Sequence, residues 1–167
     1  FEQGKILPLL GDVFGAAVLD IGAGTGRMAL ELSNRGAQVT ALDVSENMLN
    51  VLKRKDTGRK IITTIGDAED LPFDDEIFDV VIATFLIVHL KDPSRFFDEA
   101  YRVLKDGGIF LVTNINQKDP PVVSTHKGDI VIESYYHRPE KIRNILEDLA
   151  FGVEQEIFVQ ENDVWVT

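Results

Sequence analysis

Three glycines at alternate positions, Gly22, Gly24 and Gly26, separate the apolar run Val18–Ile21 from a stretch with helical spacing that starts at Arg27. Glycine permits positive φ and lets backbone amides approach a ligand with no Cβ in the way, so the turn has the composition of a small-molecule cradle. A tight strand-to-helix turn without a ligand has the same composition. Asp20 falls at the carboxyl end of the first run, where open α/β sheets bind ligands. An aspartate that only bonds its own turn would also sit there. A second acid, Asp43, ends the next apolar run, nineteen residues after Gly24, from where a carboxylate can reach ribose hydroxyls; its alternative is a surface acid capping the helix that follows. A third, Asp67, comes directly after the run Ile61–Ile65 and can accept from an exocyclic amine.

These acids need a scaffold that brings strand ends together. Val18–Ile21, Gln38–Asp43, Ile61–Ile65, Phe78–Ala83 and Ile109–Asn114 are short runs rich in Val, Ile and Leu, bounded by Gly, Asp or Pro, and they read as buried strands. Between them, Met28, Leu30 and Leu32 lead to Gly36. Met48, Leu49, Val51 and Leu52 follow a Ser45 cap and end in Lys53, Arg54 and Lys55. Asp92 before Pro93 opens a further helix with Phe96, Phe97, Ala100, Val103 and Leu104 as its apolar face and Asp106-Gly107-Gly108 as its stop. Alternating strand and helix predict a doubly wound, mostly parallel sheet with right-handed crossovers. After Asn114, Gln117–Thr125 reads as a long loop, Pro139–Leu149 as a helix, and Val153–Val159 and Asp163–Val166 as antiparallel strands joined at Gln160-Glu161-Asn162. The expectation is an α/β fold of seven strands with a reversed strand at the C-terminal side.

Length and composition narrow the function classes. The chain has 167 residues, expected to form a single domain over 1–167, with residues missing upstream of Phe1. A net charge of −11 repels phosphate backbones, so nucleic acid is not expected as a partner. No cysteine is available for a disulfide, a thiolate nucleophile or a thiolate metal site, which fits a cytoplasmic protein. Val80–Leu90 is too short for a membrane span. The acids Glu69, Asp70, Asp74, Asp75 and Glu76 lack a ligand spacing and read as a solvated loop, with no metal expected.

Taken in order, "LDIGAGTGR", "ALDVSENML", "GDAEDLPF", "FDVVIATFLIVHL" and "YRVLKDGGIFLV" resemble the class I S-adenosylmethionine-dependent methyltransferases of the small-molecule branch. The resemblance spans about Val18 to Val112. It implies that Gly22, Ala23, Gly24, Thr25 and Gly26 pass against the methionine and ribose of S-adenosylmethionine, with Asp20 near the amino group and Arg27 near the carboxylate. Asp43, followed by Val44, would bind the ribose hydroxyls, and Met48 would pack on adenine unless it belongs to the core. Gly66, Asp67 and Ala68 would meet the adenine edge, and Phe85 the methionyl end. Relatives often have a helical segment ahead of the first strand; only Phe1–Gly15 precedes it in this sequence, so that closing segment is expected to be short or removed. No Asn-Pro-Pro-Tyr-type motif follows the fourth strand, which argues against methylation of DNA bases or glutamine amides.

A sulfonium carries its own activated methyl group, so the protein must position an acceptor, take its proton and exclude water. His89 and Tyr136 are the catalytic candidates, an imidazole being the usual general base near neutral pH. His89 could equally shape the loop before Asp92-Pro93, and Tyr135 and Tyr136 could pack a helix entry on the sheet; His126 and His137 are further candidates for substrate contact. The reading is methyl transfer to a small-molecule acceptor, with a cofactor-binding accessory module without turnover as its rival. A nicotinamide oxidoreductase is disfavoured, because the dinucleotide fingerprint has two residues before its last glycine and this turn has one. S-Adenosylmethionine or S-adenosylhomocysteine should therefore raise the thermal midpoint while NAD and NADP do not, with about 2.7 kcal/mol added at a hundred times the dissociation constant. Tight NAD binding in calorimetry, with neither sulfur nucleoside bound, would overturn the reading.

Overall fold

The strands read from sequence assemble around β1 (Ala17–Ile21), whose Val18, Leu19 and Ile21 are wholly excluded from solvent. This computed structural model describes residues 3–114, 122–125, 128–131, 133–157, 159–161 and 164–166. They fall in two compact units, Phe1–Thr84 with Arg95–Val112, and Phe85–Ser94 with Thr113–Thr167.

The first unit opens with a helical turn, α1 (Gln3–Ile6), which runs into a 3-10 turn, Leu7–Leu10; Ile6, Leu7, Leu10 and Val13 join the core. Beyond β1 come α2 (Arg27–Asn34), β2 (Gln38–Asp43), α3 (Glu46–Lys55), β3 (Ile62–Ile65), β4 (Phe78–Ala83), α4 (Ser94–Val103) and β5 (Leu104–Val112). The five strands form one sheet in the order β3-β2-β1-β4-β5, every pair parallel. The chain winds outward from β1 to β3, then crosses to the other side of β1 for β4. That reversal creates a crevice beyond the carboxyl ends of β1 and β4, where ligands of such sheets bind.

Pleat alternation gives the sheet two different faces. Val18, Val39, Ala41, Val80 and Ile82 pack in one cluster with Met28, Ala29 and Leu32 of α2 and Leu49 and Leu52 of α3. Phe96 and Phe97 of α4 lie against Phe110 of β5, with ring centroids 6.1 and 6.0 Å away. The Ser45 hydroxyl caps α3 by accepting from Met48 N, as expected. Asp92 receives both the amide and the hydroxyl of Ser94 at the entry to α4. The stop after α4 is shorter than expected. The helix ends at Val103 and β5 begins at once, but pairing jumps from Phe78↔Leu104 to Val80↔Ile109, so Lys105–Gly108 bulge out of the ladder.

In the second unit a 3-10 turn (Ile87–His89) and α5 (Pro139–Asp148) accompany two hairpins, β6 (Val122–Thr125) with β7 (Gly128–Val131), and β8 (Val159–Glu161) with β9 (Val164–Val166). Val122–Thr125 is therefore strand, where a loop was expected over Gln117–Thr125. Its β-branched residues find antiparallel partners in Gly128–Val131, and the polar residues and prolines around it hid the strand. The rest of that expected loop lies outside the described residues. The terminal antiparallel pair is present, though 153–157 are irregular and pairing starts only at Val159; Asn162 and Asp163 lie outside the described residues. Among the described residues, neither hairpin pairs with a strand of the five-stranded sheet.

The loop between β3 and β4 is fixed by α4. Arg102 donates to the carbonyls of Leu71 (3.0 Å) and Phe73 (2.7 Å) and to the carboxylates of Glu99 and Asp75, while Glu99 Oε2 accepts from Leu71 N at 2.7 Å. The acidic loop is thus exposed but tethered, and Asp75 is an ion-pair partner rather than a purely solvated acid. Arg102→Ala strands two carbonyls and Glu99 and should cost about 1–3 kcal/mol in urea denaturation. Asp75→Ala removes one largely exposed partner and should stay within about 0.5 kcal/mol.

Candidate functional site

Each glycine of the turn has a different local reason to be glycine. Gly22, Gly24 and Gly26 all adopt positive φ (70°, 55° and 82°), and Gly26 is the left-handed N-cap of α2. A Cβ at Gly26 would lie 2.1 Å from Leu52 Cδ1, so that glycine lets the start of α2 pack on α3. At Gly24 a Cβ would meet nothing within 4 Å, so the backbone there borders open space. The amides of Gly22 and Ala23 both donate to Leu42 O, at 2.8 and 3.0 Å, and Gly26 N donates to Ala23 O. Lys55 Nζ donates to Thr25 O at 3.2 Å.

Asp43 carries the turn from the neighbouring strand. Its Oδ2 accepts from Gly24 N and its Oδ1 from Ser45 N, each at 2.8 Å. The carboxylate is half-buried, with lone pairs left on the side that faces neither amide. Asp20 is different: it is 1% exposed, and neither oxygen has a hydrogen-bond partner. It shares a strand face with Val18, the face covered by α2. Burial pushes its carboxyl up to about 7; the Ala29 amide pulls the other way without making a regular hydrogen bond, and the charge of Asp43 adds a smaller rise. Arg27, at the start of α2, is exposed overall, and partial desolvation holds its guanidinium below the ordinary arginine value.

Two apolar side chains beyond β2, Val44 in the loop and Met48 in the first turn of α3, are not core. Val44 is 70% exposed and Met48 45%, which removes the alternative that Met48 is an interior residue at helical spacing. Gly66 N donates to Asp43 O at 3.3 Å, drawing the end of β3 beside β2. Beyond it, Asp67 is exposed, with Oδ1 accepting from Glu69 N, and Ala68 is buried. Asp20 and Asp43 thus lie at the carboxyl ends of β1 and β2, the glycine turn, Val44 and the Gly66–Ala68 segment in the loops that follow β1, β2 and β3, and Met48 in the first turn of α3.

The remaining candidates belong to the second unit. Phe85 has a left-handed backbone (φ 59°) and its amide donates to Thr113 Oγ1 at 2.9 Å. His89 closes the 3-10 turn and is exposed; Tyr136 is half-buried. His137 is 3% exposed, with Nε2 2.8 Å from Leu90 O, so this nitrogen is the proton donor and the ring is a scaffold element rather than a surface contact. Its own carbonyl accepts from Asn114 Nδ2 at 2.7 Å. Tyr135 holds Glu133 through its hydroxyl and Val88 O through its amide. His126 lies outside the described residues. Sequence reasoning missed Thr113 and Asn114, whose partners are 28 and 23 residues away.

A zwitterionic nucleoside fits the first unit's donor set. An ammonium would neutralise the buried, unpartnered Asp20, a ribose diol would use what Asp43 has left, and open space beside Gly24 admits a ligand against the backbone. Among the described residues no group of three or more His, Asp or Glu is arranged to hold a metal ion, and no helix is long and apolar enough to cross a membrane.

Residues 19–112 match the family model of the methyltransferase domain. The chain is 39% identical over 117 residues to a demethylmenaquinone methyltransferase of Clavibacter sepedonicus, covering 70% of this chain and 47% of that protein. It is 37% identical over 112 residues to a ubiquinone/menaquinone biosynthesis C-methyltransferase of Brucella canis, covering 63% and 42%. It therefore spans less than half the length of these relatives. Among solved structures, a SAM-dependent methyltransferase from Methanosarcina mazei superposes with a TM-score of 0.81 at 19% identity, over 95% of both chains, a likeness of fold. A phosphoethanolamine N-methyltransferase of Haemonchus contortus, in complex with S-adenosylhomocysteine, gives 0.75 at 27% identity, over 92% of this chain and 37% of the other.

Asp20 makes the unliganded protein sensitive to pH in an unusual direction. Its carboxyl is raised from 3.8 to about 7, so the folded state holds this proton more tightly than the unfolded chain does. The contribution is fully present below 3.8 and is lost as pH rises to about 7, with a slope of at most about 1.4 kcal/mol per pH unit. Glu99, Asp79 and Asp92, all lowered by their partners, act in the opposite sense. Denaturation of wild type and Asp20→Asn across this range isolates the Asp20 contribution. Asp20→Asn should be the more stable apoprotein at pH 8, and parallel curves would mean that the wild-type carboxylate has a partner.

Proposed function

Because the chain belongs to the methyltransferase-domain family of S-adenosylmethionine-dependent enzymes, we propose that it methylates a small, non-nucleic-acid acceptor, specifically a ring carbon of a quinol of the demethylmenaquinone type. The observation that carries the cofactor part is the Asp20 carboxylate, buried without a partner behind a glycine turn that Asp43 holds open. A buried charge of this kind is costly unless a ligand supplies the opposite charge.

When bound, S-adenosylmethionine supplies a methyl group already activated on a sulfonium. Asp20 would bind its ammonium, Arg27 would balance its carboxylate, and Asp43 would accept from the ribose hydroxyls. The exposed side chains of Val44 and Met48 offer adenine an apolar surface that is otherwise in water. Asp67 would accept from the adenine amine and the Ala68 amide would donate to the ring. On the acceptor side, His89 would take the proton that the ring carbon loses, and Tyr136 would hold the ring by its aromatic face or hydroxyl. The quinol acceptor is supported by the two relatives above, which match this chain at higher identity than the amine methyltransferase does.

The test is transfer of an isotope-labelled methyl group to a reduced naphthoquinone that lacks the ring methyl, read by mass spectrometry. Labelled product is expected, and Asp43→Ala should weaken S-adenosylhomocysteine binding by about 1–3 kcal/mol. Part of that loss will appear as lower stability, because Gly24 N also loses its acceptor. Labelling of ethanolamine phosphates with none of the quinol would overturn the acceptor. Cofactor binding with no labelling of any acceptor would favour an accessory module.

A further inference from the structure

The most basic stretch of the chain runs from the end of α3 into the loop that follows, and it meets the glycine turn through Lys55, which donates to Thr25 O. Lys53, Arg54, Lys55, Arg59 and Lys60 fall within eight residues, against the single acid Asp56, in a protein of net charge −11. Lys53 to Lys55 complement the carboxyl end of the α3 dipole, but Arg59 and Lys60 lie beyond the helix and that reason does not extend to them.

The fold gathers part of this charge into a surface concavity of ≈ 520 Å³, lined by Asn50, Lys53 and Arg54 of α3, Arg59 and Ile61 of the following loop, and Thr63 of β3. Its volume falls within the range of small-molecule sites. Asn50, Lys53 and Arg54 have the i, i+3, i+4 spacing of one helix face. Asp56, also in the lining, does not oppose them as a free acid: it is 9% exposed and its Oδ2 accepts from Ile61 N at 2.8 Å. That bond, with Arg59 N donating to Asp56 O at 3.1 Å, folds the loop back so that Arg59 joins Asn50, Lys53 and Arg54 in lining the concavity. Among the described residues Lys53, Arg54 and Arg59 have no ion-pair partner. The concavity lies at the amino end of β3, whereas Asp43 and Gly66 mark the carboxyl end of the sheet.

We infer that this concavity is a second ligand site, which binds a phosphate-type anion through Arg54, Arg59 and Lys53. Two guanidinium forks and an ammonium suit a multiply charged group with several oxygens, and Asn50 and Thr63 add neutral hydrogen-bonding groups. Ile61 gives the remainder of the ligand an apolar wall. Phosphate monoesters, pyrophosphates and phospholipid headgroups share this chemistry.

The test uses the full chain in about 0.1 M salt, where weak surface attraction is screened. Sodium pyrophosphate is titrated by calorimetry, and cosedimentation is measured with phosphatidylcholine vesicles with and without phosphatidylglycerol. The variants are Arg54→Ala/Arg59→Ala and, retaining charge without the forks, Arg54→Lys/Arg59→Lys. Saturable pyrophosphate binding that falls by at least about tenfold in the alanine pair is expected, with the lysine pair in between. Binding of anionic vesicles alone, lost in the same variants, assigns the site to a headgroup. The unfolding midpoint and S-adenosylhomocysteine affinity should not change, which separates this site from the cofactor site. Equal binding by wild type and the alanine pair, or no binding of either probe, would overturn the inference. So would binding of an oligonucleotide with no binding of pyrophosphate or vesicles.

Discussion

The Asp43 carboxylate holds two segments at once, with one oxygen on the Gly24 amide and the other on the Ser45 amide. Through the first it fixes the loop that leaves β1; through the second it fixes the entry to α3. The site at the carboxyl end of the sheet depends on this double bond, because a glycine-rich turn has few conformational restraints of its own. The register Ile21↔Leu42 brings the turn within reach of Asp43, and Leu42 O takes two of the turn's other amides. Long-range strand pairing therefore orders a segment that local sequence leaves free. The same carboxylate adds negative potential beside Asp20 and so helps to keep that residue protonated in the unliganded protein.

Much of the fold was legible in the chain because its determinants are local. Gln38–Asp43 and Phe78–Ala83 occupy the expected bounds, and β1 gains only Ala17. Continuous Val, Ile and Leu runs bounded by Gly, Asp or Pro mark strands covered on both faces, which holds for β1 and β4; β3, read as buried by the same rule, leaves Ile62 and Ile65 exposed because it ends the strand order of the sheet. The Ser45 cap and the Asp92 entry were readable for the same reason, since each bond spans two or three residues.

What sequence did not reveal depends on distant partners. His137 has the composition of a surface contact, yet it is buried because Leu90 O, 47 residues away, accepts from its ring. Gly26 reads as part of the cradle, and the sequence gives no sign that its missing Cβ also makes room for Leu52, 26 residues away. Arg102 gave no signal at all: its hydrogen-bond acceptors lie three to thirty-one residues away, and only folding collects them. The β6–β7 hairpin was hidden by the polar residues and prolines around it, although its own Val, Ile and Thr residues favour strand. Acids and glycines announced the chemistry of the candidate site, while the bonds that aim them did not appear in the spacing.

The step in β5 separates two kinds of freedom. Between Phe78 and Val80 the fourth strand has the single residue Asp79, while between Leu104 and Ile109 the fifth has four, Lys105–Gly108, which bulge out of the ladder. Three of those four residues are exposed, and Gly107 stands in open space with φ 72°. The extrusion lies at the amino end of β5, far along the strand from the carboxyl ends that carry the candidate ligand loops. The ladder resumes at Val80↔Ile109 beyond the bulge, whose Lys105 is tied to Asp79 while a Cβ at Gly107 would meet no neighbour, so Gly107 is the point at which added length meets the least resistance. A peptide tag or a few inserted residues at Gly107 would lengthen the protein without moving a group at the opposite end of the sheet. That makes it the natural attachment point for a reporter at the end of the sheet opposite the candidate ligand loops.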